Sequence, residues 1–390
     1  MKYIFYLSVT CILLSSSSCK MTELVKRKEI TYKTGFAHRG ISGVFFNKED
    51  STEYVYFAAF LQPKKLSFFP VLDEETPKIE IPLDSIMDWR TVKGIAIKNL
   101  DTIILVNSSS MYSARSKITF IDRKGHCWEN LHLDEMILAD ENKFKYSYFL
   151  PCDIPLNFLD NDIVFFNANK SYREGDSVPK DNKDYLKYII PLSRQSSILM
   201  KFNTNTHQYQ QILSNIWNIE CPDTNLYIVG FQFSLENNIL FIYSQTGNKL
   251  YLLDKETFEI NKEIEIKSPY TGIGKAACSL EDRYESYYND NYGRLRWITY
   301  DEYNELYYVA FTHEVKDVKD YSMNFEHTAS FSIQIYNKVF KQLAEQVFDG
   351  KKYNPKHCIV TSKGMLIGHS SATKDYSPYE IKYDLYEIKK

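Results

Sequence analysis

The chain repeats one short unit: an apolar run, a turn, a second apolar run ending in Asp or Asn, another turn, and an alternating run. In the clearest copy, Asn238–Tyr243, Lys249–Leu253 and Phe258–Ile266 are separated by two short stretches. Less regular copies lie near residues 52–83, 101–133, 162–213 and 305–347. Repeats of three or four short strands are typical of meander sheets arranged around an axis, and they predict an all-β propeller.

Each repeat is predicted to form one four-stranded antiparallel blade, with strands a to d running outward from the axis. The predicted strands are Gly43–Asn47, Tyr54–Phe60, Lys65–Val71 and Lys78–Leu83 in blade one; Gly94–Lys98, Thr102–Asn107, Lys117–Asp122 and Cys127–Leu133 in blade two; Ile154–Phe158, Asp162–Asn167, Ser197–Asn203 and Gln208–Leu213 in blade three; Tyr227–Phe233, Ile239–Ser244, Lys249–Asp254 and Phe258–Ile266 in blade four; Leu295–Tyr300, Glu305–Thr312, Ser330–Tyr336 and Phe340–Val347 in blade five; and His357–Thr361, Met365–Gly368 and Glu380–Ile388 in blade six. Two repeats are longer than the rest, but by too little to hide another blade, so six blades are preferred and seven is the alternative.

Blade six lacks a fourth strand because the chain ends after its third. An unpaired sheet edge is a liability that closed architectures remove. The alternating segment Lys26–Tyr32, which precedes blade one, is predicted to supply the missing strand and close the ring.

The composition agrees with a β-rich chain and narrows the function. Aromatic residues make up 15% of the chain, with 31 Tyr and 24 Phe, which is the bias that strands favour. A net charge of -3 provides no Lys/Arg surplus for binding phosphates, so nucleic acid is not an expected partner. The eight His show no metal-binding spacing, and no catalytic, cofactor-binding or metal-binding residue is assigned.

The N-terminus has a charged start, an apolar core of about ten residues and then small residues, as export signals do. That core is too short for a membrane-spanning helix, which needs roughly twenty apolar residues. Cys19 follows Ser15–Ser18 and resembles the lipidated cysteine of a bacterial lipobox, although Ser16 stands where that motif has Leu. The prediction is a lipoprotein signal over residues 1–18, a tether over 19–25 and one propeller domain over 26–390. The alternative is a simple secretory signal cleaved near Ser18.

Five further cysteines are predicted to be buried free thiols for the most part, because there is no C-x-x-C and their spacings are wide. They are Cys127, Cys152, Cys221, Cys278 and Cys358.

Strand direction alternates in an antiparallel blade, so the b-to-c and d-to-a connections emerge on one face of the propeller and the a-to-b and c-to-d turns on the other. We call these the long-loop face and the tight-turn face. The long segments all belong to the first: Ser108–Ser116, Asp134–Asp153, Ala168–Ser196, Lys267–Arg294, His313–Ala329 and His369–Tyr379. Because loops on rigid scaffolds carry recognition residues, a ligand is expected at the long-loop face.

A segment rich in Tyr and Arg enters blade five on that face, and it supplies the candidate ligand-binding residues. Tyrosine offers flat apolar area with a hydroxyl, and Arg and Asn add directional hydrogen bonds, which suits sugars, peptides or a protein surface. The candidates are Arg283, Tyr284, Tyr287, Tyr288, Tyr292 and Arg294, with Arg39 on the same rim. The alternative is that these tyrosines only roof the central channel.

The stretch Leu295–Val309, together with Phe331–Tyr336, Gly364–Leu366 and the lipobox-like start, resembles uncharacterised six-bladed propeller lipoproteins of Bacteroidota. That family carries a domain of unknown function and is loosely similar to TolB-like propellers. The resemblance implies a propeller in the cell envelope, lipid-anchored at the outer membrane. It implies no reaction and no catalytic residue.

Two functions remain open at this stage. The first is a non-catalytic module that binds a protein, peptide or glycan through the long-loop face. The second is an envelope enzyme, a hydrolase or lyase acting on glycans, with its site at the propeller channel. Converging carboxylates or histidines with perturbed pKa values would favour the enzyme.

The Cys19→Ala variant is expected to lose palmitate labelling in a bacterial host, because the thiol of Cys19 is the predicted attachment atom. Cys127→Ala serves as the matched control and should keep the label. Equal labelling of wild type and Cys19→Ala would refute the anchor.

Overall fold

The computed structural model describes residues 22–34, 41–59, 64–72, 79–83, 92–107, 117–132, 144–148, 154–156, 158–166, 168–173, 199–212, 231–236, 239–244, 249–266, 268–269, 294–313, 329–371, 373, 377 and 379–389. Its strands in chain order are β1 Glu23–Lys33, β2 Ser42–Asn47, β3 Thr52–Ala59, β4 Lys65–Pro70, β5 Ile79–Pro82, β6 Val92–Asn99, β7 Thr102–Asn107, β8 Lys117–Ile121, β9 Cys127–His132, β10 Phe144–Tyr148, β11 Ile154–Pro155, β12 Phe158–Leu159, β13 Asp162–Phe166, β14 Ala168–Arg173, β15 Leu199–Asn203, β16 Tyr209–Ile212, β17 Phe231–Glu236, β18 Ile239–Ser244, β19 Lys249–Leu253, β20 Ile260–Glu265, β21 Arg294–Asp301, β22 Leu306–Thr312, β23 Phe331–Asn337, β24 Gln342–Phe348, β25 Tyr353–Thr361, β26 Gly364–His369 and β27 Glu380–Lys389.

These strands form six antiparallel blades in a ring, which confirms the predicted six-bladed propeller. From the axis outward the blades are β2-β3-β4-β5, β6-β7-β8-β9, β12-β13-β15-β16, β17-β18-β19-β20, β21-β22-β23-β24 and β25-β26-β27-β1. Most predicted strands agree with the observed ones to within a few residues at each end.

The ring is closed by the N-terminal strand, as predicted. β1 pairs with β27 antiparallel from Glu23 opposite Lys389 to Lys33 opposite Glu380, with one bulge between Lys26 and Lys28. The strand is longer than the predicted Lys26–Tyr32, because its pairing continues to the end of β27 on both sides. The first strand of the chain is therefore the outer strand of the last blade.

The hydrophobic core lies between neighbouring blades rather than at one centre. The b strands have both faces covered, so β22 is buried at every position and β3 at its last six. The outer strands are mostly exposed, as in β20. A buried b strand flanked by two blades needs a continuous apolar run, whereas an outer strand needs only one apolar face, and this difference produced the repeat seen in the sequence.

The tight-turn face is built from Asx turns. In four c-to-d turns the side chain of the first residue accepts hydrogen bonds from two backbone N–H groups further along the turn, and these residues are Asp122, Asn203, Asp254 and Asn337. The corresponding turn of blade one, which begins at Asp73, lies outside the described residues. Such side chains fix the turn and hence the register of strands c and d.

Each of these turns also places a residue in the left-handed conformation, and that residue contacts the preceding blade. The ring of His207 lies at a tilt against Phe120 of blade two, and Phe340 lies against Phe241 of blade four. In blade two the position is Gly125, because a Cβ there would meet the carbonyl oxygen of Pro82 in blade one at 1.8 Å. The turns thus connect one blade to the next.

Blade three departs from the prediction at its inner strand. The predicted strand Ile154–Phe158 is divided: Ile154–Pro155 pairs in parallel with β6 of blade two, and only Phe158–Leu159 pairs within blade three. The N–H of Leu156 donates to the carbonyl of Ile95 at 2.7 Å. A Cβ at Gly94 would lie 2.6 Å from the side chain of Leu156, so this inner edge depends on glycine.

Within the described part of the chain, no helix is long and apolar enough to cross a membrane. Two of the predicted free thiols fall there, and Cys127 and Cys358 are both unpaired and half-buried. The other cysteines and the predicted export signal lie outside the described residues.

Deletion of residues 22–33 is expected to lower the melting temperature by about 10 °C or more, because it removes an entire outer strand with three buried apolar side chains. Those side chains are Leu24, Ile30 and Tyr32. A synthetic peptide of residues 22–34 added in excess should restore part of the loss by mass action. An unchanged melting temperature in differential scanning calorimetry would contradict closure by β1.

Candidate functional site

The residues predicted to bind a ligand lie mostly outside the described part of the chain. Those outside are Arg39, Arg283, Tyr284, Tyr287, Tyr288 and Tyr292, together with the predicted lipidation site Cys19. Arg294 opens β21, the inner strand of blade five, where it is paired with Thr312 at the end of β22. The backbone of Arg294 is therefore at the long-loop end of the inner strand of blade five, and its role in binding stays a prediction.

Two of the long connections pair with each other. β10, from the connection between blades two and three, pairs antiparallel with β14, from the b-to-c connection of blade three, with Phe144 opposite Arg173 and Tyr148 opposite Ala168. Both connections emerge on the long-loop face, so this two-stranded sheet adds to that face without belonging to any blade. The prediction treated both segments only as long loops. The alternation in Phe144–Tyr148 is the signal that could have revealed the first strand.

A charged cluster in blade six is centred on the fully buried Asp384 at the middle of β27 and reaches the long-loop ends of β25 and β26. Its Oδ2 lies 2.7 Å from Nζ of Lys26 and 3.1 Å from Nζ of Lys352, and it accepts the hydroxyl of Tyr353 at 2.6 Å. Its Oδ1 is 3.1 Å from Nε2 of His369. All four neighbours are potential donors, so both carboxylate oxygens are satisfied.

Every strand of blade six contributes to this Asp384 cluster. Tyr353 begins β25, His369 ends β26, Asp384 is in β27, and Lys26 is in β1. The face that carries Asp384 also carries Tyr386, whose hydroxyl is 2.8 Å from that of Tyr353 and whose ring packs among residues of blades five and six. The cluster therefore links the closing strand to the other three strands of its blade.

The carboxyl of Asp384 stays ionised. Burial alone would raise its pKa, but hydrogen bonds from His369, Lys26, Tyr353 and Lys352 outweigh burial and hold the pKa well below its usual range. Burial is also the main cause that raises the pKa of Tyr353, and the hydrogen bond to Asp384 adds to it. A saturated carboxylate with a depressed pKa is a poor proton donor or acceptor near neutral pH.

Three of these side chains could in principle hold a metal ion. Glu29, His369 and Asp384 each bring one ligand atom to within 4.8 Å of the others, and they are the one such group among the described residues. The ammonium groups of Lys26 and Lys352 already contact Asp384 and would repel a cation. These residues do not fit a metal centre, and none is assigned.

The other histidines of the long-loop face do not join this group in the described residues. His313 follows β22 in blade five, and burial lowers its pKa although the charge of Glu345 opposes the shift. Glu345 itself accepts hydrogen bonds from Ser268 at 2.6 Å and from Ser332 at 2.7 Å, which joins the end of blade four to blade five. His327 lies outside the described residues.

Two polar clusters, around Asp384 and around Glu345, thus secure the long-loop ends of blades four to six. Sequence reasoning did not find either cluster. The available signal was a charged residue inside an apolar strand, as in Tyr383-Asp384-Leu385, since buried charges are usually paired. The partners could not be named without knowing the register of β1.

Asp384→Asn is expected to destabilise the protein by about 3 kcal/mol at pH 7, because it leaves two ammonium groups beside a buried neutral amide. The matched control is Glu387→Gln in the same strand, since Glu387 forms an exposed pair with Arg27 and should cost less than about 0.5 kcal/mol. Chemical denaturation of both variants measures the difference.

The stability difference between wild type and Asp384→Asn should also decrease at acidic pH. The folded pKa is depressed, so the stabilisation is present above the unfolded pKa of about 4 and is lost as pH falls further toward the folded value. The stability gap between wild type and Asp384→Asn should be constant from about pH 5 to 7 and should narrow below about pH 4. A gap that widens in acid would contradict this assignment.

Comparison with solved structures places the fold among known propellers. A member of the DUF4221 family from Bacteroides vulgatus is similar over 95% of this chain and 99% of its own, with a TM-score of 0.69 and 17% identity. A candidate exported protein from Bacteroides fragilis covers 96% of this chain and 97% of its own, with a TM-score of 0.45 and 8% identity. A GH43 protein from Bacillus licheniformis covers 76% of this chain and 52% of its own, with a TM-score of 0.35 and 10% identity.

No protein-family model matches the sequence, and no curated protein does. The likeness to the DUF4221 protein confirms, at the level of fold, the expected resemblance to six-bladed propellers of unknown function from these bacteria. The other two structures are too distant to support an argument. The chain is a six-bladed β-propeller closed by its own N-terminal strand, with the overall fold of that Bacteroides protein.

Proposed function

We propose that this protein is an exported, lipid-anchored component of the cell envelope whose propeller binds a protein, peptide or glycan through the long-loop face without catalysing a reaction. The observation that carries the proposal is the β10–β14 sheet, a structured addition formed by two connections of that face.

The β10–β14 sheet has no role in closing the ring. The six blades, which include β1, account for the propeller, and among the described strands β10 and β14 pair only with each other. A two-stranded sheet is marginally stable by itself, so ordering it costs free energy that the six blades do not require. An ordered addition of this kind is typical of a recognition surface on a rigid scaffold.

The tight-turn face is less suited to binding a ligand than the long-loop face. Its described turns are short, and side chains such as Asp122, Asp254 and Asp301 are occupied by backbone N–H groups of their own turns. Side chains used in this way have little capacity left for a ligand. The asymmetry favours recognition at the long-loop face.

The chemistry of the long-loop face favours binding over catalysis. The buried Asp384, which contacts Tyr353 and His369 at the long-loop ends of their strands, is held ionised by four neighbours, whereas a general acid needs a raised pKa. The Tyr- and Arg-rich segment 283–294 supplies groups that recognise sugars or peptides without reacting with them. The anchor at Cys19 and delivery to the outer membrane belong to the proposal and are tested by the labelling experiment above.

The test is a screen of residues 22–390 against arrays of oligosaccharides and peptides, followed by a variant that opens the added sheet. Tyr146→Pro removes a backbone donor from β10, opposite Lys170 of β14, and proline is poorly tolerated within a paired strand. We expect Tyr146→Pro to bind the ligand at least about tenfold more weakly than wild type, which is the usual effect of losing a few anchoring contacts. Its melting temperature should stay unchanged.

Val339→Ser is the matched control, because Val339 is 71% exposed on a tight turn of blade five. It should leave affinity unaltered. Recovery of a cleaved ligand by mass spectrometry would favour the glycan-active enzyme instead. Affinity that survives Tyr146→Pro but is lost in Val339→Ser would refute the assignment to the long-loop face.

A further inference from the structure

Blade six differs from the other five blades at one position: it has no c-to-d turn. Its c strand, β27, ends at Lys389, and its d strand, β1, begins at Glu23 directly opposite. The two side chains form an ion pair, with Nζ of Lys389 3.1 Å from Oε1 of Glu23. The two ends of the described chain therefore meet where the other blades have a tight turn.

This position fixes the face from which the N-terminal tether leaves. The c-to-d turns of blades two to five belong to the tight-turn face, and the start of β1 is equivalent to their last residue. The other end of β1 is near the long-loop face, where the hydroxyl of Thr34 donates to the carbonyl of Tyr379 at 3.1 Å. The tether thus joins the propeller on the side opposite the long loops.

The tether is also short compared with the domain. Three residues separate Cys19 from Glu23, so the two Cα atoms are at most about 14 Å apart. A compact domain of this length is about 50 Å across. A domain held on such a short tether cannot turn over to bring its far face to the membrane.

We infer that the lipid-anchored protein stands with its tight-turn face toward the membrane and presents its long-loop face to the aqueous phase. The inference rests on the proposed lipidation of Cys19. It deepens the proposed function because it defines the partner as one approaching from the aqueous phase, not a lipid of the anchoring bilayer.

Two basic side chains of the described tight-turn face are neutralised by neighbouring carboxylates and add little to an anchor made by lipid. Arg123 is paired with Asp101 at 2.5 Å and with Glu49 at 2.7 Å, and Lys338 is paired with Glu305. Basic groups neutralised in this way do not form the polybasic patch that binds anionic headgroups. The face adjoins the membrane because the tether holds it there.

The experiment measures the distance of each face from the bilayer by energy transfer. An azide-bearing amino acid replaces Val339 in one full-length variant and Tyr379 in another, and each receives the same donor dye. Val339 is on the tight-turn face and Tyr379 on the long-loop face, with 71% and 60% exposure, so neither label should disturb folding. The lipidated proteins are reconstituted in phosphatidylethanolamine–phosphatidylglycerol vesicles that carry rhodamine headgroups.

We expect transfer from position 339 to be at least about twofold more efficient than from position 379, given a domain much thicker than its tether. Equal or reversed efficiencies in vesicle-bound protein would overturn the orientation while leaving the anchor intact. An insertion of about twenty Gly and Ser residues after Lys20 should remove the difference, because a flexible linker of that length lets the domain turn.

Flotation with the vesicles separates this inference from the proposed function. Wild type should float and Cys19→Ala should not. If wild type remains in the soluble fraction, the anchor itself is refuted, and the orientation with it.

Discussion

Pairing of the first strand with the last is the constraint on which the rest of the propeller depends. Bringing Glu23 next to Lys389 closes a loop of nearly the whole chain, which costs about 5 kcal/mol of conformational entropy. The antiparallel pairing of β1 with β27 and the burial of Ile30 and Tyr32 offset that cost. Asp384 makes the pairing of β1 with β27 more specific, because its buried carboxylate contacts Lys26 of β1 as well as His369 and Lys352 elsewhere in blade six.

The blades could be predicted from the sequence because the burial of each strand depends on the pattern of apolar and polar residues within that strand. Strand β22, buried on both faces, could be recognised from its apolar run. The turn at Asp254 could be recognised because an Asp side chain can accept hydrogen bonds from the backbone N–H groups of the same turn. The pairing of Ile154–Pro155 with β6 could not be predicted, because a two-residue parallel contact leaves no period. The β10–β14 sheet was missed for a related reason, since its strands come from two separate insertions.

The low glycine content, 14 residues in all, was unusual for so many turns, and the structure accounts for it. Left-handed positions are taken by residues such as His207, Phe258 and Phe340, at a cost of roughly 1 kcal/mol each. Asx hydrogen bonds and contacts with the preceding blade stabilise them. For the candidate site, the sequence predicted a face, whereas the Asp384 cluster depends on strand register and could be found only from the structure.

The ion pair between Glu23 and Lys389 makes the polypeptide almost a closed circle. If the two ends were joined and the chain opened at another tight turn, the same blades could form in a circularly permuted order, since exposed turns tolerate new termini. In such a permutant the ring would no longer need a borrowed strand. Under the proposed lipid anchor, a terminus moved to the long-loop side would attach the domain the other way up, so the position of the chain ends, rather than the fold, would set which surface is displayed.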